Sequence, residues 1–202
     1  MNYILGLNAI GFNTSASLLK NGKLIGAIEE ERLTRNKRTR SFPNLSIEYL
    51  LKKNNLSFED INAVGISWNP TINLEKFDKA NSTNHSYIPN ILHTVPSNLM
   101  HFSNRKTFRY FKQELSIKKN KKISIYYINH HYCHAANFFI SPFKNSSILT
   151  VDAFGEKQSV GFFKGKNNEI NSIWSQEFPH SLGAFYSTFT EICGFKPQND
   201  EW

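Results

Sequence analysis

Cysteine is nearly absent from this chain. Cys133 and Cys193 are the only two among 202 residues, which does not fit the disulfide framework of a small secreted domain, so a reducing cytoplasm is the expected compartment. Long apolar runs are missing as well. No stretch approaches the roughly 18 uninterrupted apolar residues of a membrane span, so no membrane association is expected. The opening Met1-Asn2-Tyr3-Ile4-Leu5-Gly6-Leu7 is too short an apolar run for a secretory leader and lacks the basic start of one. There is no Gly-x-x-x-x-Gly-Lys-Ser/Thr loop and no Gly-x-Ser-x-Gly elbow. A Walker nucleotide site and an α/β-hydrolase nucleophile are thereby excluded.

What is present suffices for a folded core. Hydrophobic residues make up 40% of the chain, with 17 Phe and 8 Tyr, enough for one compact domain or two small ones built alike. The formal charge of +8 permits attraction to phosphate. Much of it sits in two clusters, Arg32, Arg35, Lys37, Arg38 and Arg40, and Lys118, Lys119, Lys121 and Lys122. Such clusters read first as solvated loops or helix ends, and nucleic acid is not the expected partner.

Patterning predicts strands over Tyr3–Asn8, Ser15–Leu19 and Lys23–Ala27, the last two joined by Asn21-Gly22, the strongest short hairpin signal. A helix is expected over Ser46–Lys52 and a strand over Ile61–Ser67. Residues 70 to 121 are the least readable; a helix over Asn104–Leu115 is the main expectation there, and His85, His93 and His101 lack ligand spacing. A strand over Ile123–Ile128 leads to Asn129, a suitable N-cap for a helix that Ser141-Pro142 would stop. Strands over Ser147–Asp152, Ser159–Phe163 and Ile170–Gln176 follow, then a helix over Leu182–Ile192 ended by Gly194. The run Glu29-Glu30-Glu31-Arg32 reads as a solvated face.

The chain also repeats itself without a gap. Ile4-Leu5-Gly6-Leu7-Asn8-Ala9-Ile10-Gly11 lines up with Ile148-Leu149-Thr150-Val151-Asp152-Ala153-Phe154-Gly155, Ser15 with Ser159 and Lys20 with Lys164. Each copy is a strand ending in Asn or Asp, a Gly-containing loop and a returning strand. Two such units facing each other would present two loops of backbone N–H groups to a phosphate. That is the arrangement of the actin-like and hexokinase-like nucleotide-binding folds, whose halves are duplicated ribonuclease H-like domains. Asn8, Asn13 and Ser15 in the first loop either bind phosphate or hold the turn; Gly155 and Glu156 occupy the second.

Three of the seven histidines fall in His130-His131-Tyr132-Cys133-His134. His130 and His134 are four apart and share one helix face, which is metal-ligand spacing, and Asp152 at a strand end offers a carboxylate oxygen. Two imidazoles and a carboxylate suit iron(II), zinc or manganese, and the sequence alone does not choose among them.

Taken together, these motifs resemble the O-carbamoyltransferase family of nodulation-factor and antibiotic-tailoring enzymes. The likeness is carried by Ile4–Asn8, Ser15–Leu19, Asn21-Gly22-Lys23 and Ala27–Arg32 with Arg35, Lys37, Phe42 and Pro43. It continues through His130-His131 with His134-Ala135-Ala136, Ser141-Pro142-Phe143, Leu149–Asp152 with Gly155-Glu156, Ser181-Leu182-Gly183, Phe185-Tyr186, Gly194-Phe195-Lys196-Pro197 and Asp200-Glu201.

The resemblance implies an α/β, actin-like domain similar to the tRNA threonylcarbamoyl-transfer proteins. Residues 1–146 would be its first ribonuclease H-like half and 147–202 the truncated start of the second. It further implies that carbamoyl phosphate is activated with ATP to carbamoyl-adenylate by a separate C-terminal domain. By the same resemblance, the carbamoyl group would then be passed to the hydroxyl of a small-molecule acceptor at a metal, expected first as iron(II), held by His130 and His134, with Asp152 nearby. Family members commonly carry His-Asp before the first-loop serine, where this chain has Phe12-Asn13, and a histidine where it has Arg38. A further metal-binding acid and the adenylate-forming domain are expected beyond Trp202, so the chain is not expected to complete the reaction alone. The rival reading is a non-catalytic nucleotide- or metal-binding module that docks to a protein partner.

Overall fold

The structure is a computed structural model and describes residues 1–69, 109–118, 121–197 and 199–201. Its described residues form two compact units, one made of residues up to 69 with 109–128, the other beginning at Asn129.

The first unit opens with a meander of β1 (Tyr3–Asn8), β2 (Ser15–Lys20) and β3 (Lys23–Glu29). Asn21 and Gly22 close the second hairpin at φ 49° and 79°, the positive pair that a tight primed turn requires. Next come α1 (Glu30–Thr34), α2 (Asn44–Lys53), a 3₁₀ turn at Phe58–Asp60 and β4 (Ala63–Ile66), and later a hairpin of β5 (Tyr110–Lys118) and β6 (Lys121–Ile128). The sheet order is β3-β2-β1-β4-β6-β5, with β1, β4 and β6 mutually parallel and the other pairs antiparallel. Alternation along β1 and β2 sends Leu5, Leu7, Ala16 and Leu18 to one face, where Leu50 and Leu51 of α2 cover them.

The second unit starts with α3 (His130–Ala135), which runs into a 3₁₀ stretch at Ala136–Ile140 ending before Ser141. An antiparallel sheet of β7 (Asn145–Val151), β8 (Gln158–Lys166) and β9 (Glu169–Glu177) follows, then α4 (Leu182–Ile192), with Gly194 beyond it at φ 84°. Phe163 and Ile170 form its core with Ala135 and Phe138.

The repeat read from the sequence is present in the pairing. Ile4 faces Leu19 and Leu7 faces Ala16; at the corresponding positions Ile148 faces Phe163 and Val151 faces Val160. The returning strand is irregular at the same place in both copies, between Leu18 and Leu19 and between Phe162 and Phe163.

Two expectations fail. Where a helix was expected over Asn104–Leu115, the described residues from Tyr110 onward are strand β5; residues 104–108, like His85, His93, His101 and Lys119, lie outside the described residues. Lys112, Gln113, Glu114 and Leu115 favour helix, but Phe111, Gln113 and Ile117 alternate with exposed neighbours and the ladder to β6 decides. The acidic run is not a uniformly solvated face either. Glu30 is only 2% exposed, because its carboxylate accepts from the Leu45 amide (3.1 Å), the Ser46 amide (2.8 Å) and the Ser46 hydroxyl (2.7 Å). Among the described residues no helix is long and apolar enough to cross a membrane.

Candidate metal centre

The site is assembled within the second unit. Asn129 ends β6's excursion as the N-cap of α3, its side-chain oxygen accepting from the Tyr132 amide at 3.2 Å. The helix is six residues long and carries three imidazoles on two faces.

His131 points inward and is fully buried. Its Nε2–H donates to the Gln158 carbonyl at 2.9 Å, and its Nδ1 accepts from the Thr150 hydroxyl at 2.7 Å. This is the neutral tautomer, and burial holds the imidazole pKa below its ordinary value. Pattern reading had no signal to separate this histidine from its neighbours; its match with Thr150 and Gln158 on two strands emerges only from the fold.

His130 and His134 turn the other way and converge on Asp152. The Asp152 Oδ2 accepts from His130 Nε2 at 2.8 Å and from His134 Nε2 at 3.2 Å, and the two Nε2 atoms are 3.0 Å apart. One donor atom from each residue lies within 4.8 Å of the others. The pocket is half open, with side-chain exposures of 23%, 48% and 35% for His130, His134 and Asp152, which leaves a ligand a way in. Burial alone would raise the Asp152 carboxyl, but hydrogen bonds from both imidazoles and from the Ala153 amide to Oδ1 outweigh it and hold the group well below the usual carboxylate range.

The loop after β7 is fastened from several sides. The Asp152 amide donates to the Ser159 carbonyl at 2.9 Å. Ser181, the N-cap of α4, donates its hydroxyl to the Asp152 and Ala153 carbonyls at 3.1 and 2.6 Å. Gly183 lets the start of α4 come close, since a Cβ there would sit 2.5 Å from the Ala153 nitrogen and 2.6 Å from its Cα. Ser181 and Gly183 entered the sequence reading only through the family likeness. Glu156, 6% exposed, accepts from the His130 amide through both carboxylate oxygens at 3.1 Å. Gly155 lies close by, where a Cβ would come within 3.0 Å of the His131 ring.

The first loop belongs to the first unit. Asn8 donates its side-chain amide to the Phe12 and Asn13 carbonyls at 3.2 and 3.1 Å and accepts from the Ser67 hydroxyl at 3.3 Å, so it holds the turn. Asn13 takes a left-handed φ of 55°, and Ser15 enters β2 opposite Asn8. The two departures from the family pattern meet in space: Phe12 lies under Arg38 at 4.6 Å and Arg40 at 3.8 Å.

Residues 3–202 match the family model described as "Carbamoyltransferase N-terminus". The chain belongs to that family. Its relatives include an uncharacterised protein of Synechocystis, 31% identical over 209 residues covering 100% of this chain and 34% of that one. An uncharacterised protein of Methanocaldococcus jannaschii is 30% identical over 198 residues, covering 98% of this chain and 31% of that one. Nodulation protein NolNO of Sinorhizobium fredii is 26% identical over 190 residues, 93% of this chain and 26% of that one. This carbamoyltransferase N-terminal chain therefore spans about a third or less of the length of these relatives.

Proposed function

We propose that this chain is the metal-bearing N-terminal part of an O-carbamoyltransferase with the duplicated, actin-like fold. The observation that carries the reading is the convergence of His130, His134 and Asp152 inside a chain of the carbamoyltransferase N-terminus family. Their donor atoms form a triangle with sides of 2.8, 3.0 and 3.2 Å. Adjacent ligands of a six-coordinate ion with bonds of about 2.1 Å are about 3.0 Å apart, so the set suits iron(II) or manganese, with zinc as the alternative. Bound there, the metal would supply Lewis acidity toward the carbamoyl carbonyl or a phosphoryl oxygen.

The chain's own residues give the site its rigidity. His131 fixes the rotation of α3, Glu156 ties down the first amide of that helix, the Ala153 amide and the two imidazoles keep the Asp152 carboxylate ionised, and Ser181 holds the backbone carbonyls of Asp152 and Ala153. In the first unit Asn13 and Ser15, on the turn held by Asn8, are proposed contacts for ATP or carbamoyl-adenylate; in the second unit, taken by itself, Gly155 and Glu156 are the proposed contacts. Carbamoyl phosphate would be the donor, a small-molecule hydroxyl the acceptor, and the cytoplasm the compartment. The adenylate-forming step would belong to the C-terminal region.

Metal content measured by plasma mass spectrometry tests the ligand set: His130→Ala and His134→Ala should each lower bound iron or manganese at least tenfold in folded protein. Unchanged content in both variants would sink the assignment. In the full-length protein the same variants should abolish carbamoyl-phosphate-dependent transfer. Metal retention with no turnover in the full-length wild type would instead favour a binding module.

A further inference from the structure

The basic cluster that follows α1 takes no part in the metal centre, and it is not a loose solvated loop. The Arg38 amide donates to Glu31 Oε2 at 2.9 Å. Thr39 is only 4% exposed; its carbonyl accepts from the Thr14 amide at 3.4 Å and its hydroxyl from the Ser41 amide at 3.2 Å. Arg38 takes a left-handed φ of 56°, a conformation that residues other than glycine seldom hold and that recurs where a ligand is clamped.

This pinned Arg-Thr-Arg turn brings two guanidinium groups onto one ring. The Arg38 and Arg40 guanidinium carbons lie 4.6 and 3.8 Å from the centroid of Phe12, so a single aromatic side chain holds both heads within reach of one small anion. Phe12 is fixed in turn, between Gly11 at φ 94° and Asn13 at φ 55°, with its carbonyl bonded to Asn8. The charge here is not cancelled locally. Arg32 lies beside Glu29 and Glu31, but among the described residues Arg35, Lys37 and Arg40 have no carboxylate within ion-pair distance. Next to the Thr39 backbone, the buried Thr14 hydroxyl has no hydrogen-bond partner among the described residues.

We propose that Arg38 and Arg40, held on Phe12, bind the phosphoryl end of a small phosphomonoester. A carboxylate has two oxygens, which one guanidinium fork fills. A phosphomonoester dianion has three terminal oxygens and can accept from two forks at once. A nucleic-acid phosphodiester offers only two unesterified oxygens and one charge, and Phe12, already carrying two guanidinium groups, is no platform for stacking a base. The site lies wholly in the first unit and does not rest on the metal or on carbamoyl transfer.

The 202-residue chain, stripped of metal with EDTA, is titrated with inorganic phosphate and with glycerol 3-phosphate at constant ionic strength, while the arginine Nε–H signals are followed by NMR. Saturable shifts at Arg38 and Arg40 are expected with both ligands. Arg40→Gln and Arg38→Gln should keep the circular dichroism of the wild type and each weaken binding about tenfold, as loss of one charge-assisted contact requires. Phe12→Leu should weaken it too, with both arginines still present. Arg35→Gln removes the same charge outside the pair and should leave binding unchanged. Absence of saturable shifts, acetate binding as well as phosphate, or an equal loss in Arg35→Gln overturns the proposal. Tighter binding of an oligouridylate, lost in the same variants, overturns it by assigning the pair to a phosphodiester backbone. ATP bound through the pair while glycerol 3-phosphate is not overturns it by assigning the pair to a nucleotide polyphosphate.

Discussion

Glu30 illustrates how much one side chain decides. Helix α2 begins after Pro43, which has no side chain to satisfy the free amides of the first turn. Glu30 supplies that acceptor from outside the helix. Glu30→Gln keeps the shape but exchanges a charged acceptor for one carbonyl oxygen and an NH₂ group facing the Ser46 amide. It should cost about 1–3 kcal/mol in a urea unfolding titration; an unchanged midpoint would show that water replaces the carboxylate. The cysteines give a second residue-level prediction. Burial, with the Glu156 carboxylate adding to it, pushes the Cys133 thiol up to about 12, so it stays protonated near pH 8, whereas Cys193 is exposed. Iodoacetamide at that pH should therefore label Cys193 and spare Cys133 until the protein is denatured, as intact mass would report. Neither role was legible in the sequence. An acidic run looks the same whether it faces water or caps a distant helix, and burial belongs to the fold.

At the level of elements, the Asp152 loop and α3 are held by contacts that leave little room. Gly183→Ala would drive a methyl into the Ala153 backbone, lifting the loop that carries Asp152. Metal affinity should fall with helix content unchanged, and titration calorimetry with manganese would detect it; equal affinity would mean the loop absorbs the methyl. Asn129→Ala removes the N-cap of α3 and should cost about 1 kcal/mol. Most elements could be read in advance because their signals are local: Asn21-Gly22 for the hairpin, alternation in β1 and β2, Asn129 before the histidines. Strand β5 could not. Its Lys, Gln, Glu and Leu favour a helix in isolation, and only pairing with β6, a later segment, makes them a strand. The histidine pair and Asp152 could be brought together in advance, since helical spacing and a strand end are both sequence features. The inward turn of His131 and the tie from Glu156 could not, because each depends on a partner more than fifteen residues away.

For the molecule as a whole, the two units differ in how much apolar surface they bury. Among the described residues, nine buried hydrophobic residues make the core cluster of the first and four that of the second. Native-state hydrogen exchange should accordingly show the amides of β7 to β9 opening at lower free energy than those of β1 and β2. Equal protection would show that the smaller core is reinforced elsewhere. The matched registers of the two hairpins also bear on how the chain reaches its native state. Strands β1 and β7 pair with β2 and β8 in equivalent registers, Ile4 with Leu19 and Leu7 with Ala16 as Ile148 with Phe163 and Val151 with Val160, so each is a competent mate for the other's partner. During synthesis the competition is avoided, because β1 and β2 close locally long before β7 exists. A chain diluted from denaturant has no such head start. Its refolding yield should fall as protein concentration rises, through exchange of hairpins between molecules, and should recover when residues 1–69 are allowed to fold before the remainder is released.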